Sequence, residues 1–424
     1  ARNSRMKLIL TSALSLTVAL ANAQTVKILF DASQAEMAGN ADWVPDADTY
    51  NLGVNSTTHL MQTGSGNEAN PQRYPTPAQS GITASTAQSY WKGALSNWAI
   101  DLVRQGYGVE TLPYNGLITY GVTTNAQDLS NYKVFIVCEP NIRFSTSEKA
   151  ALISFVQNGG GLFMIADHTV SDRNNDGWDS PAIWNDLMTG NPFGITFDLQ
   201  NFSQTSTNVR VNAADPILHG SMGNVTGAIF HNGTSMTVST AANATAKGLV
   251  YKTGASNTGN TLAIFAASNY GAGKVGALGD SSPPDDGSGD TNDALFSSYA
   301  TDLSGSHRKL LVNATKWLVT PGTAAMPFSH PGLSTLKKMN ASLGVDLWPN
   351  PSYDMVNVRF ASDTDAPVTI SIMDMTGRVV AQERVNNNTG VNVVPFNVQG
   401  FPEGLYVVHV NNGDTEFTER FVKN

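Results

Sequence analysis

The sequence predicts an α/β fold with a mostly parallel, doubly wound sheet, followed by a small all-β sandwich. In the first part of the chain, short apolar and β-branched runs alternate with helical patterns, which is typical of strands buried on both faces of a parallel sheet. Residues 345–424 contain short alternating runs instead, and these suit a sandwich. A chain of 424 residues with 41% hydrophobic residues can form both units.

The composition narrows the class of protein. Charged residues make up 14% of the chain, below the roughly 25% of an average soluble domain, which fits a secreted protein. The net charge of -9 argues against binding to nucleic acid or to an anionic membrane. The single cysteine, Cys138, excludes an internal disulfide framework, and its place inside an apolar run predicts a packing residue rather than a nucleophile.

Residues 1–23 are predicted to hold upstream residues and a secretory signal peptide. Met6 and Lys7 precede an apolar run, and Ala21-Asn22-Ala23 has the small-residue pattern of a cleavage site. The apolar run is shorter than the about 20 residues that a membrane span needs, so we expect no membrane span. The mature chain is predicted to begin at Gln24.

Residues 24–320 are predicted to form the α/β domain, and four of its strands end on an acid. The carboxyl ends of parallel strands meet at one edge of a sheet, where ligands bind. Burying carboxylates there is costly unless they are paired, so the acids indicate a functional site. The four predicted strands are Val26–Asp31, Val134–Glu139, Leu162–Asp167 and Lys274–Asp280.

Between these strands the sequence predicts loops, helices and hairpins. Residues 32–84 lack a long apolar run and are predicted to form a functional loop over the site. Ser145 and Glu148 have the spacing of a helix-capping box. Further helices are predicted at residues 85–106 and 305–319, and hairpins at about 190–270.

Asp167 and His168 directly follow a predicted strand and are the strongest candidates for catalysis. A histidine held by a neighbouring acid can transfer protons or bind a metal, although a histidine at a strand end is also often structural. The other predicted catalytic acids lie at the remaining strand ends: Asp31, Asp280 and, at the edge of the site, Glu139.

The segment Asp172–Gly177 matches the D-x-N-x-D-G start of an EF-hand calcium loop, in which alternate side chains supply oxygen ligands. The acid at the twelfth position is missing, so another ligand must complete the site, with Asp179 or Asp186 nearest in sequence. We therefore predict bound Ca²⁺, with a solvated turn as the alternative. The predicted ligands are Asp172, Asn174, Asp176 and Asp179.

The segment from Tyr132 to Asp167 resembles the class I glutamine-amidotransferase-like superfamily, and most closely its noncatalytic or recruited branches, such as trehalose-utilisation-type proteins. The resemblance implies a flavodoxin-like fold. No cysteine occupies a G-x-C-x-G elbow, so we expect no glutamine hydrolysis. The matching stretches are Cys138-Glu139-Pro140-Asn141, Gly159–Ile165, Asp215–Gly220 and Gly273–Asp280.

Gly279-Asp280-Ser281 resembles the opening of GDS hydrolases, in which the serine is the nucleophile. That motif normally follows the first strand and has a late Asp-x-x-His partner, and neither feature is clear here. A polar turn or a second cation site, formed with Asp285, Asp286 and Asp290, is the favoured interpretation.

Residues 321–344 contain several prolines and are predicted to be a linker. Residues 345–424 resemble the C-terminal sorting domain of type IX secretion cargo, which implies the type IX secretion machinery as a partner. The protein is then expected to be secreted or bound at the cell surface, after export through the periplasm of a Gram-negative bacterium. A carbohydrate-binding sandwich is the alternative. The matching motifs are Leu347–Pro351, Asp374–Arg378, Gly404–Val408 and Phe421–Asn424.

Together these features predict a secreted hydrolase of an extracellular polymer, with a polysaccharide favoured and strand-end carboxylates as catalytic groups. Trp43, Trp178 and Trp184 are predicted to stack on sugar rings, with core packing as the alternative for each. Two other functions stay open: metal-assisted hydrolysis of esters or phosphoesters, and calcium-dependent glycan binding without catalysis.

Overall fold

The structure is a computed structural model that describes residues 26–47, 51–62, 72–288, 296–322, 345–348, 350–362, 367–385, 390–411 and 416–423. The predicted signal peptide and nearly all of the predicted linker lie outside these residues. No helix in the described part of the chain is long and apolar enough to span a membrane.

Residues 26–322 combine many short strands with a few helices. The strands are β1 (Lys27–Asp31), β2 (Met37–Ala38), β3 (Ala41–Asp42), β4 (Gly53–Val54), β5 (Met61–Gln62), β6 (Gly108–Leu112), β7 (Val134–Cys138), β8 (Gly161–Ile165), β9 (Ile195–Phe197), β10 (Phe202–Ser206), β11 (Asn208–Val209), β12 (His219–Gly220), β13 (Gly223–Asn224), β14 (Ala228–Gly233), β15 (Met236–Val238), β16 (Lys247–Tyr251), β17 (Ala263–Tyr270) and β18 (Gly273–Leu278). The α-helices are α1 (Ser96–Arg104), α2 (Thr146–Gln157), α3 (Ser180–Leu187) and α4 (Ser306–Val319), and single 3₁₀ turns cover Gln79–Gly81, Gln88–Tyr90, Leu129–Asn131 and Asp302–Ser304.

The main sheet is mixed, where the sequence predicted a mostly parallel one. Its order is β11-β16-β17-β18-β8-β7-β1-β6, with β15 beside β17 and β9 beside β15. The five strands from β18 to β6 are parallel, and the others are antiparallel. Only Gly271 and Ala272 join β17 to β18, and so short a link permits only an antiparallel pair.

The order of the parallel strands reverses between β1 and β7. The chain passes from β1 outward to β6, and then returns to place β7 on the other side of β1. β8 and β18 continue the sheet in that second direction. In open α/β sheets, ligands bind outside the carboxyl ends of the strands near such a reversal.

Helices cover both faces of the parallel strands. On one face, Phe30 and Phe163 belong to a core that also contains residues of α1 and α4. On the other face, Leu29 and Phe135 pack in a core with residues of α2 and α3. The predicted packing role of Cys138 is confirmed, because its side chain lies inside the first core and is 1% exposed.

Two helices test the predicted boundaries. The predicted capping box of α2 is confirmed, since Ser145 and Glu148 each bond to the other's backbone amide. Helix α1 is shorter than the predicted span of residues 85–106 and begins at Ser96. The carboxylate of Asp286 accepts a hydrogen bond from the Asn97 amide in the first turn of α1, and a separate 3₁₀ turn precedes the helix.

The described residues after 345 form two antiparallel sheets. Their strand orders are β19-β20-β23 and β22-β21-β24-β25. Side chains of both sheets, including Val358, Ile370 and Val408, share one apolar core. The strands are β19 (Val345–Trp348), β20 (Met355–Ser362), β21 (Val368–Asp374), β22 (Val379–Val385), β23 (Gly390–Asn397), β24 (Gly404–Asn411) and β25 (Glu416–Lys423).

Candidate functional site

A polar cleft of about 270 Å³ opens at the carboxyl ends of the parallel strands. Its walls come from the loop after β1, the segments after β8 and β18, the strand β14, and Phe296. Two histidines, an arginine, an aspartate and two serines face the same space, so the cleft combines proton-transfer groups with hydrogen-bond donors. The lining residues are Ala38, Trp43, Asp167, His168, Arg173, His231, Asn232, Ser281, Ser282 and Phe296.

Glu139 lies beneath the cleft rather than at its edge, where the sequence placed it. Its side chain is fully buried. Oε2 accepts hydrogen bonds from Trp43 Nε1 at 2.8 Å and Ser281 Oγ at 2.7 Å. Oε1 accepts two bonds from the guanidinium of Arg173, at 3.1 and 3.0 Å. Glu139 therefore holds three side chains of the cleft wall in position.

The backbone of Glu139 is strained. It follows β7 with a φ of 53°, in the left-handed region that residues with a side chain rarely adopt. Such strain persists only where surrounding contacts enforce it, and it concentrates at functional sites. The contacts of the Glu139 carboxylate supply that constraint.

Asp167 is the carboxyl group that lines the cleft. Its Oδ2 accepts a hydrogen bond from Arg173 Nη2 at 2.9 Å, and its carboxyl group is also in hydrogen-bonding contact with that of Glu139. Burial raises the pKa of Asp167 well above its usual value, and the charges of Glu139 and Asp280 raise it further. Asp167 is therefore suited to holding a proton inside the cleft.

His168 lies next to Asp167, the acid with which the sequence predicted it to act. Its Nε2 lies 3.4 Å from Asp167 Oδ2. Its Nδ1 lies 2.6 Å from the carbonyl oxygen of Thr169. The same Nδ1 lies 2.9 Å from Asn201 Nδ2, so it has both an acceptor and a donor as neighbours, and Nε2 faces the carboxyl group of Asp167.

Asp280 was predicted as catalytic, but it does not line the cleft. It is fully buried, and its two oxygens accept hydrogen bonds from the amides of His231 at 2.6 Å and Ser282 at 2.8 Å. Burial raises the pKa of Asp280 to about 7. Its contacts fix the backbone of two residues that do line the cleft.

Asp31 also lies away from the cleft wall. Its Oδ1 accepts hydrogen bonds from the amide of Ser33 at 2.9 Å and from its hydroxyl at 2.7 Å. Its carboxyl group is in hydrogen-bonding contact with that of Glu36, and burial raises the pKa of Asp31 to about 6. The structure thus pairs Asp31 with an acid that the sequence did not single out.

The predicted tryptophan rim does not form. Trp184 is fully buried and donates its indole N–H to the carbonyl of Ile165 at 2.9 Å, so it packs in the core. Trp178 lies under the guanidinium of Arg143, 3.7 Å from the ring centre, and is not part of the cleft wall. Trp43 lines the cleft but is only 1% exposed, which leaves little ring surface for stacking.

The predicted calcium loop is tied together by its own hydrogen bonds. Asp172 accepts bonds from the amides of Asp176 at 3.1 Å and Gly177 at 2.8 Å, and Asn174 accepts one from the Asp176 amide at 3.3 Å. Asp179 instead caps α3 by accepting the Ala182 amide at 3.0 Å. Calcium in this loop stays a prediction, with Asp172, Asn174 and Asp176 as its ligands and without Asp179.

Several cleft residues were not predicted. Arg173 lies within the acidic loop, and only the folded chain brings it to Glu139 and Asp167. His231 stacks on Phe296 with ring centres 4.4 Å apart, although its sequence context indicated only a hairpin. In β14, His231 is followed by Asn232 and Gly233, which are typical turn residues, so the sequence did not indicate a functional site there.

Residues 346–424 match the family described as the secretion system C-terminal sorting domain. The predicted type IX sorting domain is therefore confirmed, and the protein is secreted or located at the cell surface through the type IX secretion machinery. The match does not extend to residues 24–320, so their resemblance to amidotransferase-like proteins stays a prediction. No curated protein matches the chain.

Solved structures give weak likenesses to separate parts of the chain. The mmIFT52 N-terminal domain is 14% identical, with a TM-score of 0.39, and the match covers 70% of this chain and 100% of that one. A DUF3244 family protein from Bacteroides vulgatus, with an immunoglobulin-like β-sandwich fold, is 21% identical at a TM-score of 0.16. That match covers 20% of this chain and 95% of the DUF3244 protein. The dimeric latent PorU from Porphyromonas gingivalis is 20% identical at a TM-score of 0.17. That match covers 19% of this chain and 9% of PorU.

Proposed function

We propose that residues 24–320 form a hydrolase of an extracellular polymer, with Asp167 as its proton donor and a polysaccharide as the favoured substrate. The sorting domain directs this hydrolase to the outside of a Gram-negative cell, and extracellular polymers are found there. The observation that supports the proposal most is a buried carboxyl group, with its pKa raised, in the wall of a polar cleft.

Cleavage of a glycosidic bond requires a proton for the leaving oxygen, and a carboxyl group that stays protonated near neutral pH can supply it. Burial and the charge of Glu139 raise the pKa of Asp167 well above its usual value, which favours the protonated form, and Arg173 fixes the orientation of its carboxyl group through the 2.9 Å hydrogen bond. His168 Nε2 lies 3.4 Å from the same carboxyl oxygen, so the ring can take up a proton from solvent to form imidazolium and pass that proton to Asp167 after each turnover.

The second catalytic group in this proposal is a histidine rather than a carboxylate. Glycosidases that use two carboxyl groups hold them about 5 to 9.5 Å apart, whereas Glu139 and Asp167 are in hydrogen-bonding contact. His231 lines the same cleft, and its imidazole can accept the proton of the attacking water. The two-carboxylate scheme predicted from sequence is therefore replaced in this proposal.

A second candidate function is ester hydrolysis with Ser281 as nucleophile. Ser281 lines the cleft, and its hydroxyl donates to Glu139 Oε2 at 2.7 Å, which is the contact that a serine needs with an activating base. Glu139 already accepts three other hydrogen bonds, from Trp43 and Arg173. Because both carboxylate oxygens of Glu139 are already engaged by these donors, we place this function second.

The two functions are separated by assaying the full chain on polysaccharides and on model esters. We expect polysaccharide cleavage, and an about hundredfold or larger loss in Asp167→Asn, because general acid catalysis is removed. Asp354→Asn, which changes an exposed acid outside the cleft, serves as the control and should retain activity. A loss below about tenfold in Asp167→Asn would contradict the proposal. Labelling of Ser281 by a fluorophosphonate, with ester cleavage abolished in Ser281→Ala, would establish the second function instead.

A further inference from the structure

A second group of buried polar side chains lies at the carboxyl ends of β1 and β7. Asp31 ends β1, and Gln34 and Glu36 lie in the turn that follows it. Asn141, just after β7, is bound to this turn because its Nδ2 donates to the carbonyl oxygen of Ala35 at 2.7 Å. Each of the four polar side chains belongs to a residue that is at most 4% exposed. We call this group the β1 turn cluster.

Apart from the contact between the Asp31 and Glu36 carboxyl groups, each side chain of the β1 turn cluster has a hydrogen-bond partner at only one of its two polar atoms. Asp31 Oδ1 accepts the Ser33 amide at 2.9 Å, and Glu36 Oε2 accepts the Gln34 amide at 3.0 Å. Gln34 Nε2 donates to Glu148 at 3.1 Å. Within this cluster, Asp31 Oδ2, Gln34 Oε1, Glu36 Oε1 and Asn141 Oδ1 receive no hydrogen bond from an N–H or O–H donor of the described residues.

Buried oxygens without a donor are rare in folded proteins, because nothing replaces the water that they lose. Here four of them belong to one turn and the residue bound to it, and two belong to carboxyl groups in contact with each other. Carboxylate and amide oxygens are the hard ligands that Ca²⁺ and Mg²⁺ prefer. We propose that the β1 turn cluster binds one divalent cation.

Amide ligands distinguish this site from a cluster of acids. Within the described ranges, no group of three or more His, Cys, Asp or Glu side chains is arranged to hold a metal ion. The β1 turn cluster contributes only two such side chains, and the remaining oxygens come from Gln34 and Asn141. The two carboxylates match the charge of a divalent ion. The β1 turn cluster also lies beside the reversal of strand order, which is where open α/β sheets bind ligands.

The cation would stabilise one wall of the cleft. The carbonyl oxygen of Glu36 accepts a hydrogen bond from the Trp43 amide at 2.9 Å, and both Ala38 and Trp43 line the cleft. A fixed Glu36 therefore fixes the start of that wall. This role does not depend on which bond the protein cleaves.

The experiment uses the full chain, freed of metal by a chelator and then titrated separately with CaCl₂ and MgCl₂. Calorimetry should show a bound ion that the Asp172 and Asp176 substitutions described below do not remove, and thermal unfolding should show a rise in the unfolding temperature. Asp31→Asn combined with Glu36→Gln should weaken the affinity at least about tenfold, because both ligand charges are lost. The matched control, Asp172→Asn combined with Asp176→Asn, removes the acids of the other predicted loop and should keep this affinity.

Gln34→Met provides a second variant that keeps both carboxyl groups and removes one neutral ligand oxygen. It should also weaken binding, and circular dichroism shows whether each variant is folded. The proposal is overturned if neither ion binds the unaltered chain, since the two carboxyl groups then share a proton instead. It is also overturned if binding disappears only in the Asp172 and Asp176 variant, which assigns the ion to that loop.

Discussion

Glu139 shows how one buried side chain can organise a cleft that it does not line. Its carboxylate accepts hydrogen bonds from Trp43, Arg173 and Ser281 and contacts Asp167. Its charge is also a cause of the raised pKa of Asp167, second to burial. The same residue therefore affects both the positions of the cleft residues and the protonation of the proposed acid.

Replacing Glu139 with Gln removes this charge while keeping the size of the side chain. We expect the pKa of Asp167 to fall, so the high-pH limit of activity moves to lower pH. The free energy of unfolding should also drop by about 1 to 3 kcal/mol, because a buried donor loses its acceptor. The pH profile of kcat/KM and urea unfolding measure the two effects.

Trp43→Phe is the control for this prediction, because it removes one donor to Glu139 without changing any charge. Its pH profile should keep the position of the unaltered protein. An unchanged profile in Glu139→Gln would show that Glu139 acts on packing alone.

Sequence patterns found the acids of this region but not their roles. Asp167 and His168 were predicted because they directly follow a buried strand, and they line the cleft. Arg173 was missed because its importance comes from contacts with side chains distant in sequence. Trp184 was misassigned because a tryptophan near acids looks the same in sequence whether its ring is exposed or buried in the core.

Secondary structure elements were predicted best where local signals and burial agree. The capping box of α2 is such a case, since Ser145 Oγ accepts the Glu148 amide at 3.3 Å and Glu148 accepts the Ser145 amide at 2.7 Å. The start of α1 was missed because its first turn is capped by Asp286, which is distant in sequence. β17 lies within the residues predicted to form hairpins, and its antiparallel pairing with β18 follows from the two-residue link between the strands.

The cap of α2 gives a prediction at the scale of one element. Ser145→Ala removes the side-chain acceptor at the helix start, so the free energy of unfolding should fall by about 0.5 to 2 kcal/mol. Ser145→Asn keeps an acceptor and should stay close to the unaltered protein. Urea unfolding compares the three proteins, and equal losses in both variants would argue against the cap as the cause.

The molecule as a whole carries several buried carboxyl groups that favour the protonated form. Burial raises the pKa values of Asp280 and Asp286 from 3.8 to about 7. Between these values the folded chain keeps protons that the unfolded chain has released. Stability is therefore lost as the pH rises through this window.

We expect the free energy of unfolding to decrease from pH 4 to pH 7. A shift of one pKa unit corresponds to about 1.4 kcal/mol, so Asp286 alone contributes up to about 4 kcal/mol. Asp286→Asn cannot ionise and should flatten the decrease, whereas Asp354→Asn, at an exposed position, should not. Urea unfolding across this pH range tests the prediction, which fails if both variants retain the slope of the unaltered protein.

The position of β18 has a consequence for the order in which the molecule is assembled. β18 pairs with β8 across more than a hundred intervening residues, and the segment after β18 supplies Ser281 and Ser282 to the cleft. Synthesis must therefore pass this segment before the cleft can exist. A nascent chain that has completed β1, β7 and β8 already holds most of the acids, but it still has no enclosed space in which to use them.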